Sequence, residues 1–97
     1  MSRIYKGKTK LRVLVKTKLN LTGCKSVELY CTKPDGSFTS FTAGIKDYEN
    51  GIVFYDVKSE TDFDQSGWWT IWPEFVFEDS KTACGHAYKV FVYEAGR

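Results

Sequence analysis

Apolar and polar residues change sides at every step along most of this chain, and that periodicity restricts the fold more than any other feature. In residues 5–21 the bases Lys6, Lys8, Lys10, Arg12, Lys16 and Lys18 occupy even positions, while Leu11, Val13, Val15, Leu19 and Leu21 occupy odd ones. Period two is the mark of a strand with one wet and one buried face; a helix would scatter those lysines around its circumference. Residues 26–32 alternate again, with Val27, Leu29 and Cys31 on one side. Lys33-Pro34-Asp35-Gly36 follows, where proline presets φ and Asp-Gly supplies a tight turn, so a hairpin into residues 37–42 is predicted. Asn50-Gly51 signals another turn before the β-branched and aromatic run 52–57. Residues 58–66 read as a loop, and Gly67 releases the chain into a long strand ending near Phe77. Pro73 within it has no N–H to give to a ladder and predicts a bulge or an edge. A polar connection over 78–85 leads to a last strand over 87–93.

Six or seven strands at spacings of about ten residues, with no amphipathic helix, predict an all-β, immunoglobulin-like antiparallel β-sandwich. Ninety-seven residues allow one domain, taken as 1–97, and an apolar share of 42% with 16% aromatics is enough for a core. One local constellation points the same way. Asp62, Gly67 and Trp69 repeat the Asp, Gly, Tyr spacing of the corner entering a late strand of such sandwiches, with Trp in place of Tyr. An indole donates but cannot accept, so a single bond from Trp69 to a backbone carbonyl is expected.

Most of the chain, roughly residues 5–93, resembles small immunoglobulin-like proteins of bacteriophages and prophages related to the N-terminal domain of baseplate upper proteins. The resemblance rests on Leu21-Thr22-Gly23-Cys24-Lys25-Ser26-Val27-Glu28-Leu29, Lys33-Pro34-Asp35-Gly36-Ser37, Asn50-Gly51-Ile52-Val53-Phe54-Tyr55, Gly67-Trp68-Trp69 and Val90-Phe91-Val92-Tyr93, in that order. It implies a virion component of a tail, baseplate or head-tail joint that docks on other virion proteins or on copies of itself. Trp68, Trp72, Cys24 and Cys84 depart from the pattern.

Catalytic raw material is thin. His86 is the one histidine and has no assignable partner, Asp62 and Asp64 lie in a loop, and Gly23, Gly36, Gly51 and Gly67 are isolated turn residues rather than a phosphate loop. No enzyme activity and no cofactor are expected. Cys24, Cys31 and Cys84 lack the close pairing of zinc ligands, so buried free thiols are expected. No apolar run reaches a membrane span, and the first residues lack a secretory pattern, so synthesis in the bacterial cytoplasm is expected, with later residence in the virion if assembled.

Two surfaces stand out as contact candidates. If Trp69 faces the core, alternation puts Trp68 and Trp72 on the other side, where the monomer itself, a protein partner or a stacked sugar must cover them. The alternative function is accordingly a carbohydrate-binding or host-attachment module. The second surface is charged. The net charge is only +2, but residues 1–25 hold eight bases and no acid, leaving six bases against twelve acids in the remainder. The stripe Lys6, Lys8, Lys10, Arg12, Lys16 and Lys18 either blocks edge-to-edge pairing or meets an acidic partner, one version being the acidic face of a second copy. A nucleic-acid backbone is the weakest of these readings.

Overall fold

The computed structural model describes residues 3–94, and these are all β-strand, turn and loop. The strands in chain order are β1 (Ile4–Tyr5), β2 (Arg12–Lys16), β3 (Cys24–Thr32), β4 (Phe38–Asp47), β5 (Ile52–Asp56), β6 (Gly67–Phe77), β7 (Thr82–Cys84) and β8 (Tyr88–Tyr93). They form one mixed sheet in the order β1-β8-β6-β3-β4-β5-β2, with β7 paired to β6. All pairings are antiparallel except β1 with β8.

The sheet curls because β4 changes partner along its length. Its first part pairs with β3, from Thr32 opposite Phe38 to Val27 opposite Ala43, and its last part pairs with β5, beginning at Gly44 opposite Phe54. Gly44 sits at the hand-over, and a β-carbon there would come within 2.6 Å of the Phe54 ring. The absence of a side chain leaves room for the aromatic ring against the strand where the sheet turns. The inner faces of β2 and β5 are thereby brought against those of β3, β6 and β8. One continuous core results, built from Val13, Val15, Val53 and Tyr55 on one side and Val27, Leu29, Cys31, Trp69, Ile71, Phe75 and Val92 on the other.

Alternation is obeyed in β2, in β3 from Val27 onward, in β5 and along β6 from Trp69 to Phe75. Val27, Leu29 and Cys31 are buried, as are Trp69, Ile71 and Phe75, and the Lys33–Gly36 segment closes the β3-β4 hairpin, with the Lys33 N–H donating to the Ser37 carbonyl. The expected long opening strand is the main departure. Only Arg12–Lys16 is regular, flanked by turns, and Lys18 adopts a left-handed φ of 60°. That single residue breaks the alternation, so Leu19 turns outward while Leu21 returns to the interior. Asn50-Gly51 does form a turn, and it locks onto this break. Gly51, at φ 69°, would collide with Thr17 Oγ1 and Leu19 O if it carried a β-carbon, and its carbonyl accepts from Thr17 Oγ1 at 2.8 Å.

Pro73 lies in the interior of β6, not in a bulge; the irregularity in the β3-β6 ladder falls between Cys24 and Ser26. On its other side β6 changes partner, from β8 at Ile71 to β7 at Glu74. The Pro73 carbonyl accepts from the Gly85 N–H on that side, so the ring nitrogen faces the same interruption and no ladder bond is forfeited. The strand β7 falls in what the sequence presents as a plain polar connection, and it raises the count to eight. Cys24, Cys31 and Cys84 are free thiols, the first two buried, whereas Cys84 is exposed on this short strand, contrary to expectation. Burial pushes the Cys31 thiol up to about 12, which makes it an inert apolar filler. No helix among the described residues is long and apolar enough to cross a membrane.

Candidate functional site

Two places concentrate side-chain chemistry, one inward-looking and one open. The inward one is the corner leading into β6. Trp69 is wholly buried, and its indole Nε1 donates to the Gln65 carbonyl at 2.9 Å, the single bond that its chemistry permits. Its ring packs on Phe63 at 5.0 Å between centroids, Phe63 on Phe41 at 5.3 Å, and Phe41 stacks on Tyr55 at 4.6 Å. Asp62 Oδ2 accepts from Tyr55 Oη at 2.6 Å and from the N–H groups of Lys58 and Ser59. Partial burial would raise the Asp62 carboxyl, but these donors outweigh it and hold the group below the ordinary carboxylate range. Tyr55 moves the opposite way, raised by burial and by donating to a carboxylate. Lys33 bonds both oxygens of Asp64, and Gln65 exchanges bonds with Asp35, fastening the β3-β4 turn to the same loop. Asp62 and Asp64 are both engaged by donors within the chain and act as structural ties.

The open place is the seam where the two ends of the curled sheet approach one another. β2 forms one end, and β8, covered by β1 only at Val92 and Tyr93, forms the other. Between them runs a cleft of about 820 Å³ lined by β2 from Arg12 to Lys16 and by β8 from Tyr88 to Phe91, together with Ile71, Trp68 and Arg3. No strand pairing joins β2 to β8. Tyr88 spans the gap at one point, its Oη donating to the Lys16 carbonyl at 2.9 Å.

Beside the cleft the outer face of the sheet carries an aromatic row. Trp68 meets Phe91 edge-on at 5.1 Å, Phe91 meets Tyr93 at 4.8 Å, and Tyr93 meets Tyr5 at 6.0 Å. The row crosses three neighbouring strands because Trp68 pairs with Phe91 and Tyr5 with Tyr93 in register. The Arg3 guanidinium lies over the Tyr93 ring at 4.7 Å. Trp68 is 62% exposed at the free end of the row. A tryptophan this open, backed by a rigid aromatic neighbour, is preorganised to bury a large area on contact.

The sequence-derived candidates separate accordingly. Trp68, Arg12 and Lys16 come together at the seam. Trp72 is on the same outer face of β6 as Trp68 but at a distance: it is half-buried, stacks on Tyr30 at 6.1 Å and donates from Nε1 to Glu74. The lysine stripe does not exist as one surface. Lys6, Lys8 and Lys10 sit in the turns after β1, Lys6 pairing with Glu94, and Lys18 is itself the break in alternation. Arg12 is bidentate to Asp56, at 2.6 and 2.9 Å, and lies over the Phe54 ring at 4.4 Å, so the basic and acidic surfaces imagined as head-to-tail partners adjoin within one molecule.

Tyr5, Phe91, Tyr93, Arg3 and Lys89 are seam residues that sequence reasoning passed over. The outward parity of positions 89, 91 and 93 was legible, but their neighbours follow only from the β6-β8 register. Among the described residues no group of three or more His, Cys, Asp or Glu side chains is placed to hold a metal ion. The chain matches no protein-family model, no curated protein and no solved structure.

Proposed function

We propose that this protein is an immunoglobulin-like sandwich that serves, without catalysis, as a structural contact module of a phage or prophage particle, in its tail, baseplate or head-tail joint. The sandwich reading is supported by the opposition of two half-sheets across one core and by the β4 switch between them. The parallel pairing of a short first strand with the last, and the Trp69 corner, support it further. The non-enzymatic reading draws on an exposed His86 and on carboxylates already engaged by internal donors. The partners are other virion proteins or further copies of this chain.

The observation that carries the reading is the exposed aromatic row ending in Trp68 next to an uncovered strand edge. Interfaces concentrate their energy in such aromatic anchors. The test is particle incorporation. Particles induced from a host carrying the gene should contain the chain by mass spectrometry, and Trp68→Ala should lower its occupancy while leaving the isolated domain folded. Particles of full composition that never contain the chain would refute the assignment.

The same row favours a second reading, a carbohydrate-binding or host-attachment module in which a sugar stacks on Trp68. Selective signals on a glycan array, lost in Trp68→Ala, would replace the first reading with this one.

A further inference from the structure

We propose that the seam between β2 and β8 is a receptor for one extended segment of a partner protein, a strand that alternates acidic and apolar residues and completes the sheet. The inference rests on the reading of this domain as a contact module and specifies what it grips.

The register fixes which main-chain groups are unused. The Thr17 N–H donates to the Gly51 carbonyl, and the Leu11 carbonyl accepts from Val57, so odd-numbered residues of β2 bond to β5. The N–H and C=O groups of Arg12, Leu14 and Lys16 therefore point away from β5, toward the cleft. Of these, the Lys16 carbonyl alone has a partner among the described residues, the Tyr88 hydroxyl. On the opposite side the Tyr93 carbonyl accepts from Lys6, so odd residues of β8 face outward from β6. The parallel pairing of Ile4 opposite Val92 uses the Phe91 carbonyl, so beyond β1 it is Lys89, with both main-chain groups, and the Phe91 N–H that also face the cleft. Two strand edges face one gap, the arrangement that a β-strand from another chain satisfies by augmentation.

The chemistry of the lining selects the strand. Val13, Val15, Ile71 and Val90 offer an apolar inner wall for alternate side chains of the guest. The lining also holds four bases, Arg3, Arg12, Lys16 and Lys89, and no carboxylate. Arg12 is neutralised by Asp56, which leaves three cations without an acid among the described residues. Other copies of β2, whose own outward side chains are Arg12, Leu14 and Lys16, would bring like charges together. An acidic guest is complementary where a self-paired edge is not.

The test uses the intact chain and three end-blocked synthetic peptides about eight residues long, within the usual range of strand lengths. One alternates Glu and Val, one alternates Lys and Val, and one is the Glu/Val peptide with N-methylated valines. The Glu/Val peptide should bind, slow amide exchange at Arg12, Leu14 and Lys16, and change Trp68 fluorescence. The Lys/Val peptide should bind at least about tenfold more weakly, and so should the N-methylated one, which lacks the donors along one of its two edges. Lys16→Glu with Lys89→Glu should reverse the charge preference; both are exposed, so folding is retained. Leu14→Pro, which removes a donor that β5 does not use, should abolish binding with the far-ultraviolet spectrum unchanged.

Equal binding of the Glu/Val and Lys/Val peptides, or binding that leaves the Arg12, Leu14 and Lys16 amides unprotected, overturns the proposal. So does failure of the Glu/Val peptide to bind at millimolar concentration. These outcomes leave particle incorporation untouched; loss of incorporation in wild type removes the wider reading instead.

Discussion

The Trp69 corner and the β2-β8 seam are made from the same materials, aromatic rings and alternating strands, yet one is closed and the other open. At the corner the rings of Trp69, Phe63, Phe41 and Tyr55 are buried in sequence, and Asp62, Gln65 and Lys33 consume the nearby donors and acceptors internally. At the seam the rings of Trp68, Phe91 and Tyr93 form a comparable chain on the outer face, and beside them the outward main-chain groups of Lys89 lie beyond the reach of β1. Trp68 and Trp69 are adjacent in sequence and occupy opposite sides of one strand. The contrast shows that an aromatic cluster contributes to stability where it removes area from water, and is available for recognition where it does not.

Truncation at the two neighbours should expose this difference most sharply. Trp69→Ala deletes a wholly buried ring and its hydrogen bond to Gln65, and chemical denaturation should show a loss of about 3–5 kcal/mol, enough to unfold a marginal domain. A loss under about 1 kcal/mol would mean that the corner is not what closes the core.

Asp62→Asn should cost about 1–3 kcal/mol, since three donors lose a charged acceptor. The same group gives a pH signature. Its folded-state pKa lies below the unfolded value near 3.8, so its contribution is present above that value and lost as pH falls through the folded pKa. Tyr55 is raised above its ordinary 10, so its contribution is complete below pH 10 and is lost as pH climbs beyond it. Denaturant midpoints measured across pH should therefore fall at both extremes, and the acid limb should flatten in Asp62→Asn.

On the seam side the effects are small. Arg12→Ala removes an exposed ion pair with Asp56 and a contact over Phe54, and thermal unfolding should register a slight loss that shrinks with added salt. Trp68→Ala should change stability by no more than about 0.5 kcal/mol. A larger loss at Trp68 than at Arg12 would show that the row of Trp68, Phe91 and Tyr93 braces the sheet and would weaken its reading as a contact surface.

The legibility of these regions differs for a physical reason. The corner was readable because it is local: Asp62, Gly67 and Trp69 lie within eight residues, and the donor-only indole dictates a carbonyl partner. Trp68 was readable as the outward neighbour of a buried Trp69. Its company was not, because Phe91 and Tyr5 reach it only through strand pairings separated by long stretches of chain. The lysine stripe misled for a related reason. Charge at even positions is equally compatible with a strand and with turns, and the left-handed Lys18 and the turns after β1 are set by contacts to Gly51, Phe63 and Tyr93.

Sequence by itself determined the local geometry: strands from period-two alternation, the hairpin at Pro34-Asp35-Gly36, the turn at Asn50-Gly51 and the inward face of β6. These follow from the φ preferences of Pro and Gly and from the alternation of side chains, both properties of a few consecutive residues. Tertiary structure alone decided which strand ends remain unpaired. Closing the sheet depends on where β4 changes partner and on how far β1 extends along β8, and each is settled by packing between residues distant in the chain.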